Sequence, residues 1–419
     1  MAVCKPHYRR CGFSRRHVEA SRVHPPARLA VRCGRLYDGT EAAPQTNVTV
    51  IVEGNRVERI VTNDERVEAV RTLEAAAVTP GLINAHVHLE FSGEPDIGVL
   101  VLASPIAKTL ISAANARRSI EAGVTTVRDL GGAGSNAIEL RDAIRKGQHA
   151  GPTIVPAGRA LCMTGGHGHF IGRETDGPWD ARKAVREQRK AGAECIKLIA
   201  TGGVLTEGAV PGQDQLTEEE MQAAVVEART HGMRVAAHAI GTSGIKNALR
   251  AGVDSIEHGH LLDDEAIELF RERNAFLVPT IAAVSCIFEH AADGKQPDFV
   301  VRKASALYAA MRENIARAYR AGVSIAGGSD AGTPYNYHAN YAYEVELMHT
   351  VLGMSPREAL RAATQTAGRL LGVDAGVIET GRPADLLLLD GDLQDDTRAL
   401  RAPQFVIKGG TIAMSRNCG

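Results

Sequence analysis

Along its middle this chain repeats one unit. A short apolar run, rich in β-branched residues, ends in a polar or Gly-rich turn, and a stretch of helical period follows. The runs fall at 81–86, 124–129, 153–157, 195–200, 234–238, 253–258, 276–281 and 323–327. Helical text lies between most of them, at 217–231 and 264–272 for example. Thr217 and Glu220 spell a capping box at the start of the first of these. Strands alternating with helices imply a parallel sheet, because each crossover returns the chain to the same end. Eight units over 79–375 have the count and length of an α/β fold of (β/α)8 type, a TIM barrel.

Outside the repeat the period drops to two. Residues 47–53 and 56–61 alternate around Gly54-Asn55, the signature of a hairpin. Strand text returns at 384–390 and again at 404–408, just before Gly409-Gly410. Residues 30–78 and 376–419 are therefore expected to form a small composite β-sandwich domain beside the barrel. Residues 1–29 read as a disordered basic extension. Through Arg32 it carries Lys5, Arg9, Arg10, Arg15, Arg16, Arg22, Arg28 and Arg32 against the single acid Glu19. It lacks the apolar stretch of a secretory signal. His7, His17 and His24 in it are expected to be chemically silent.

Composition narrows the function. With 48 Lys+Arg, 49 Asp+Glu and a net charge of -1, the chain has no overall attraction for nucleic acid or anionic membrane. Aromatics at 4% leave little for a stacking platform. Its longest apolar candidate, 275–288, is shorter than a membrane span and is interrupted by Pro279. The 7 Cys are scattered without a C-x-x-C pair, which argues against a disulfide framework or a thiolate zinc site and fits a reducing compartment, the cytoplasm. The 15 His are the exception, because several close a strand.

In a (β/α)8 barrel, chemistry sits at the C-terminal ends of the strands. The first run ends in His86-Val87-His88, and residues two apart in a strand face the same side. The fifth ends in His238 and the sixth in His258, and Asp330 follows the eighth. Imidazole plus carboxylate is a ligand set for Zn²⁺ or a similar divalent ion. Lys197 sits inside the apolar fourth run, where an unpaired ammonium is costly. A desolvated amine loses its proton readily and can then capture CO₂ as a carbamate, an anion able to bridge two metals.

With those residues go Thr79-Pro-Gly-Leu-Ile-Asn-Ala-His-Val-His88, Thr164-Gly-Gly-His-Gly-His169, Lys197-Leu-Ile-Ala-Thr-Gly-Gly203, Ile256-Glu-His-Gly259, Gly328-Ser-Asp-Ala-Gly-Thr-Pro334 and Gly381-Arg-Pro-Ala-Asp-Leu386. Together they resemble the amidohydrolase superfamily, in particular the imidazolonepropionase-like group with its Xaa-Pro dipeptidases and ochratoxin-type amide hydrolases. The resemblance spans about 30–415. It implies two divalent ions, zinc foremost. His86, His88 and Asp330 would hold one, His238 and His258 the other, and a carbamate on Lys197 would bridge them. It further implies a metal-bridging hydroxide as nucleophile, Asp330 as proton carrier and His167 as a contact to substrate or oxyanion. His169, His260, Tyr335, Tyr337 and His338 are further candidates for the pocket. The expected partners are a small-molecule amide, peptide-like or N-acyl amino acid, and further copies of the chain in a homo-oligomer.

Two departures matter. Ile240 stands where peptidase members often carry Tyr, and Lys197 is absent from true imidazolonepropionases. A cyclic-amide hydrolase is the alternative activity, and a non-catalytic scaffold the alternative class, although such a scaffold is expected to have lost ligands. A serine hydrolase fails because Gly327-Gly-Ser329-Asp-Ala331 lacks the last Gly of G-x-S-x-G. A nucleotide-binding reading fails because Leu130-Gly-Gly-Ala-Gly134 is no full G-x-G-x-x-G.

Overall fold

The structure, a computed structural model, describes residues 28–394 and 396–416. The basic segment 1–27, with His7, His17 and His24, lies outside the described residues. Strand β1 (Arg28–Leu36) begins within the span expected to be extension.

The first four strands are β1, β2 (Gln45–Glu53), β3 (Arg56–Thr62) and β4 (Arg71–Pro80). The anticipated Gly54-Asn55 hairpin joins β2 to β3. It turns on Gly54 at φ +57°, a conformation that costs glycine nothing.

The chain then enters the repeat. Its strands are β5 (Leu82–Val87), β6 (Val124–Asp129) and β7 (Thr153–Pro156), then the two-residue strands β8 (Leu161–Cys162) and β9 (Arg173–Glu174). β10 (Cys195–Ile199), β11 (Arg234–Ala239), β12 (Ser255–His258), β13 (Phe276–Val278) and β14 (Ser324–Ile325) follow. All pair in parallel, β5-β6-β7 in one sheet and β14-β13-β12-β11-β10-β8-β9 in another.

Hydrogen bonds close both seams into a barrel. On one side Glu194 N donates to Pro156 O at 2.8 Å. On the other, Ala85 N donates to Gly327 O at 2.9 Å, Asp330 N to His86 O at 2.8 Å, and His88 N to Ala331 O at 2.9 Å. Every residue of β10 is buried, as in a strand with side chains inside and helices outside. The helices begin where their caps say. Thr217 Oγ1 accepts from Glu220 N, and the Glu220 carboxylate reaches back to Thr217 N, opening helix Glu218–Thr230.

After the barrel the chain returns as β15 (Leu386–Leu389), β16 (Phe405–Lys408) and β17 (Thr411–Ser415). These join the first strands in one mixed sheet, β17-β16-β15-β4-β1-β2-β3. The sheet curls until its β3 edge meets the chain entering β15, with Ala384 N donating to Asn55 O at 2.9 Å. Its inner face holds a separate core that includes Leu29, Val31, Val50, Leu386 and Leu388. Among the described residues no helix is long and apolar enough to cross a membrane.

Candidate metal centre

The strand ends of the barrel open onto one cleft, and the strand-end residues converge there. His86 lies on β5 with His88 just beyond it, Lys197 on β10, His238 on β11 and His258 at the end of β12, while Asp330 follows β14. Ring centroids are 5.4 Å apart for His86 and His88, 5.2 Å for His86 and His258, and 4.5 Å for His238 and His258. Asp330 Oδ1 stands 3.4 Å from His86 Nε2 and 3.3 Å from His88 Nε2. One donor atom each from His86, His258 and Asp330 lies within 4.8 Å of the others.

Local backbone strain aims two of these groups. Ser255 and Glu257 both meet Arg128, so they share a face of β12, and alternation would point His258 away. His258 instead has φ +76°, which swings its ring back among the other imidazoles. Asp330 has φ +59° and Thr280 φ +48°. Left-handed backbone at a non-glycine residue costs of order 1 kcal/mol or more, and it persists where the surroundings enforce it. Glycine supplies the closeness between β14 and β5. A Cβ on Gly328 would stand 2.9 Å from His86 N and 2.5 Å from Val278 Cγ1.

Each imidazole is also oriented from behind. His86 Nδ1 is 2.8 Å from Glu257 Oε2, His88 Nδ1 2.8 Å from Gly131 O, and His258 Nδ1 2.7 Å from Thr280 Oγ1. In all three the far nitrogen is occupied and Nε2 is left for the cluster. His238 is reversed, with Nε2 3.5 Å from Gly202 O and Nδ1 left over. Histidines that bind metals are held in this way.

The electrostatics suit the same donors. Burial, with the Lys197 charge next, lowers His86 to about 4. Burial also drives His238 and His258 well below the usual histidine range, which leaves the rings neutral. Burial alone would raise the Asp330 carboxyl, but His86, His88 and Lys197 hold it below its ordinary value, ionised. Lys197 is pushed down to about 8 by burial, and its Nζ has no hydrogen-bond partner. A buried amine without a partner is rare enough to ask for one. Burial would lower His88 too, but its contact with Asp330 raises it above the ordinary value. Neutral imidazoles at His86, His238 and His258, an ionised carboxylate and an orphaned amine fit a pair of divalent ions.

His167 lines the same cleft, with its ring centroid 4.6 Å from that of His238. Its Nδ1 is 2.8 Å from Thr206 Oγ1, and burial lowers it to about 3. The ring rests on Gly203, where a Cβ would lie 2.3 Å from His167 Nε2. His260 also lines the cleft.

Other candidates lie elsewhere. His169 is exposed and packs edge-on against Phe170. Tyr335 stacks on His290 at 4.1 Å, outside the cleft wall. His338 is buried behind the wall, its Nε2 2.8 Å from Phe91 O, and Tyr337 is half exposed. The turn after Asp330 sends these three away from the barrel axis.

Sequence reasoning missed the layer beneath the ligands. Arg128 on β6 donates to Ala85 O at 2.7 Å, to Ser255 Oγ at 3.1 Å and to Glu257 Oε1 at 2.8 Å, all buried. Ionisable residues at the inward positions of two strands were the available signal. Thr280 had no signal, because its role depends on a left-handed turn after β13.

With the site in place, comparison with known proteins is decisive. Residues 77–414 match the amidohydrolase family. This chain belongs to that family. The amidohydrolase is 29% identical over 382 residues to the ochratoxinase of Aspergillus niger, covering 81% of this chain and 76% of that one. It is 25% identical over 421 residues to the imidazolonepropionase of Ectopseudomonas mendocina, covering 90% and 96%. A crystal structure of a Xaa-Pro dipeptidase with methionine bound in its active site matches it with a TM-score of 0.85 at 32% identity, covering 92% of this chain and 99% of that one. The amidohydrolase is therefore a hydrolase of carbon–nitrogen bonds, of the amide-cleaving kind.

Proposed function

We propose that this amidohydrolase cleaves its amide with a water activated at a two-metal centre, held by His86, His88 and Asp330 on one side and by His238 and His258 on the other. The observation that carries this reading is the set of four histidines, three presenting Nε2 and one Nδ1, around the orphaned Nζ of Lys197. When bound, divalent ions, zinc foremost, supply Lewis acidity that lowers the pKa of a water toward about 7 and draws charge from the substrate carbonyl.

The protein's own groups do the rest. Lys197 Nζ adds to the carbon of CO₂, forming an N–C bond and releasing one proton, which leaves a carbamate with two oxygens for the ions. The Asp330 carboxylate accepts the proton of the attacking water and returns it to the leaving nitrogen, so one group serves as base and then acid. Thr206 Oγ1 already accepts from Gly168 N at 3.1 Å, so its hydroxyl proton is available to His167 Nδ1. That fixes the tautomer with Nε2–H as a donor, suited to the oxygen that gains charge.

The test is metal analysis with chelation. The purified protein is expected to carry divalent metal in stoichiometric amount, and amide hydrolysis is expected to stop on chelation and return on reloading. Lys197→Ala should lose at least one ion and most activity. Full metal content and parental rates in that variant would remove the carbamate from the scheme. Activity that survives chelation would remove the metals.

A further inference from the structure

The polar side chains lining the cleft are six histidines, Lys197, Asp330 and Thr333; the rest of its lining is apolar. Above the imidazoles its walls are Phe91, Phe170, Leu205, Ile240, Val284 and Ile287. Among the described residues lining it there is no Arg, Tyr, Ser, Asn or Gln, and its one Lys is Lys197 at the floor. The apolar surface continues to the rim, where Phe91, Leu100 and Ile171 form a small cluster with Phe170. That cluster joins the loop after β5 to the loop after β8. The cations nearby are engaged elsewhere. Lys303 Nζ donates to Thr206 O at 2.8 Å and lies over the Phe299 ring, and Arg118 donates to Asn115 Oδ1 at 3.0 Å.

We infer that the substrate is an uncharged amide carrying apolar groups, not a dipeptide or N-acyl amino acid. This rests on the amide-hydrolase reading of the same site. The α-carboxylate of an amino-acid leaving group is two bonds from the scissile nitrogen. With the carbonyl at the floor it must therefore sit against the walls rather than beyond them. There it meets aliphatic and aromatic carbon with no cation to pair with. A buried carboxylate without a partner is strongly disfavoured, whereas an aryl or alkyl group at the same place is favoured by the area it buries. Ile240 contributes to this directly, because it offers carbon at a wall position next to His238.

A matched pair tests the inference: N-benzoyl-phenethylamine and N-benzoyl-phenylalanine, which differ only in the carboxylate. With metal-loaded enzyme, kcat/KM is expected to favour the neutral member by roughly 100-fold or more. Thermal shift gives a readout that needs no turnover, and the neutral compound alone should raise Tm. In Leu205→Arg, which places a cation on the wall, the preference should narrow by at least about tenfold. Equal or better hydrolysis or binding of the carboxylate compound by the parent enzyme would overturn the inference while leaving the amide-hydrolase reading intact. Binding of the neutral compound without hydrolysis of any amide would support the inference and count against that reading.

Discussion

Replacing Arg128 with Met tests how the floor of the site is built. Arg128 is 1% exposed, and its partner Glu257 is fully buried across the barrel interior. Their 2.8 Å pair is joined by bonds from Arg128 to Ala85 O and Ser255 Oγ. Removing one member of a buried pair leaves the other charge uncompensated, at a cost of about 3–5 kcal/mol. Against a total stability of about 5–15 kcal/mol this is a large share. Burial alone would raise the Glu257 carboxyl, but Arg128 and then His86 hold it down to about 2. In the parent the group is thus ionised in both folded and unfolded states above pH 5, and its contribution is flat there. It is lost only as pH falls from 4.5 toward 2. Without Arg128, burial dominates and the folded-state pKa rises above its unfolded value. The penalty should then grow by about 1.4 kcal/mol per pH unit above 4.5, until the pH passes the raised folded-state pKa and the carboxyl ionises in the folded state as well. Urea unfolding of chelated protein at pH 5 and pH 8 should show a larger loss at pH 8, and adding Glu257→Gln should recover part of it. A loss under about 1 kcal/mol at pH 8, or one equal at both pH values, would refute the account.

Three further outcomes follow from the same geometry. Thr280→Val removes the oxygen 2.7 Å from His258 Nδ1, and metal affinity measured by competition with a chromophoric chelator should fall about 10–100-fold while the fold remains. Gly203→Ala places a Cβ where the His167 ring lies, so kcat should drop about 10–100-fold with metal content unchanged; loss of metal as well would assign His167 a different role. Removing the metal should lower unfolding stability, by about 2.7 kcal/mol if the ion had been present at a hundred times its dissociation constant, and should do so less in Lys197→Ala.

What was legible before the structure was anything written in local pattern. The eight strands, the Gly54-Asn55 hairpin, the Thr217 capping box and the convergence of His86, His88, Lys197, His238, His258 and Asp330 all follow from period, turn chemistry and strand ends. Position after a strand end carries less information. Tyr335, Tyr337 and His338 follow Asp330 closely, yet the left-handed φ at Asp330 and at Tyr335 (+59° in each) turns the chain outward before they can reach the cleft. Alternation also misplaces His258, which faces the centre only because its own backbone breaks the rule. Arg128 and Glu257 are 129 residues apart, so their pairing exists only once β6 and β12 share the barrel interior.

The division of labour in the cleft follows from that construction. Its floor is made of strand ends, whose spacing is fixed by barrel closure and by the buried pair beneath, so the donor atoms have little freedom to move. Its walls come from the segments after β5, β8, β10, β11 and β13, the last of them helix Ile281–Glu289, and they present apolar side chains to the cleft. A substitution at Leu205 or Val284 therefore reshapes the chamber without passing strain to His86 or His258. By contrast, a change at Thr280 or Gly328 reaches the ligands directly, because Thr280 faces His258 and Gly328 packs against His86. Substrate range and metal retention should accordingly vary independently across wall variants and together across floor variants. Wall substitutions that alter selectivity while metal content and unfolding midpoint stay constant are the pattern that this separation requires.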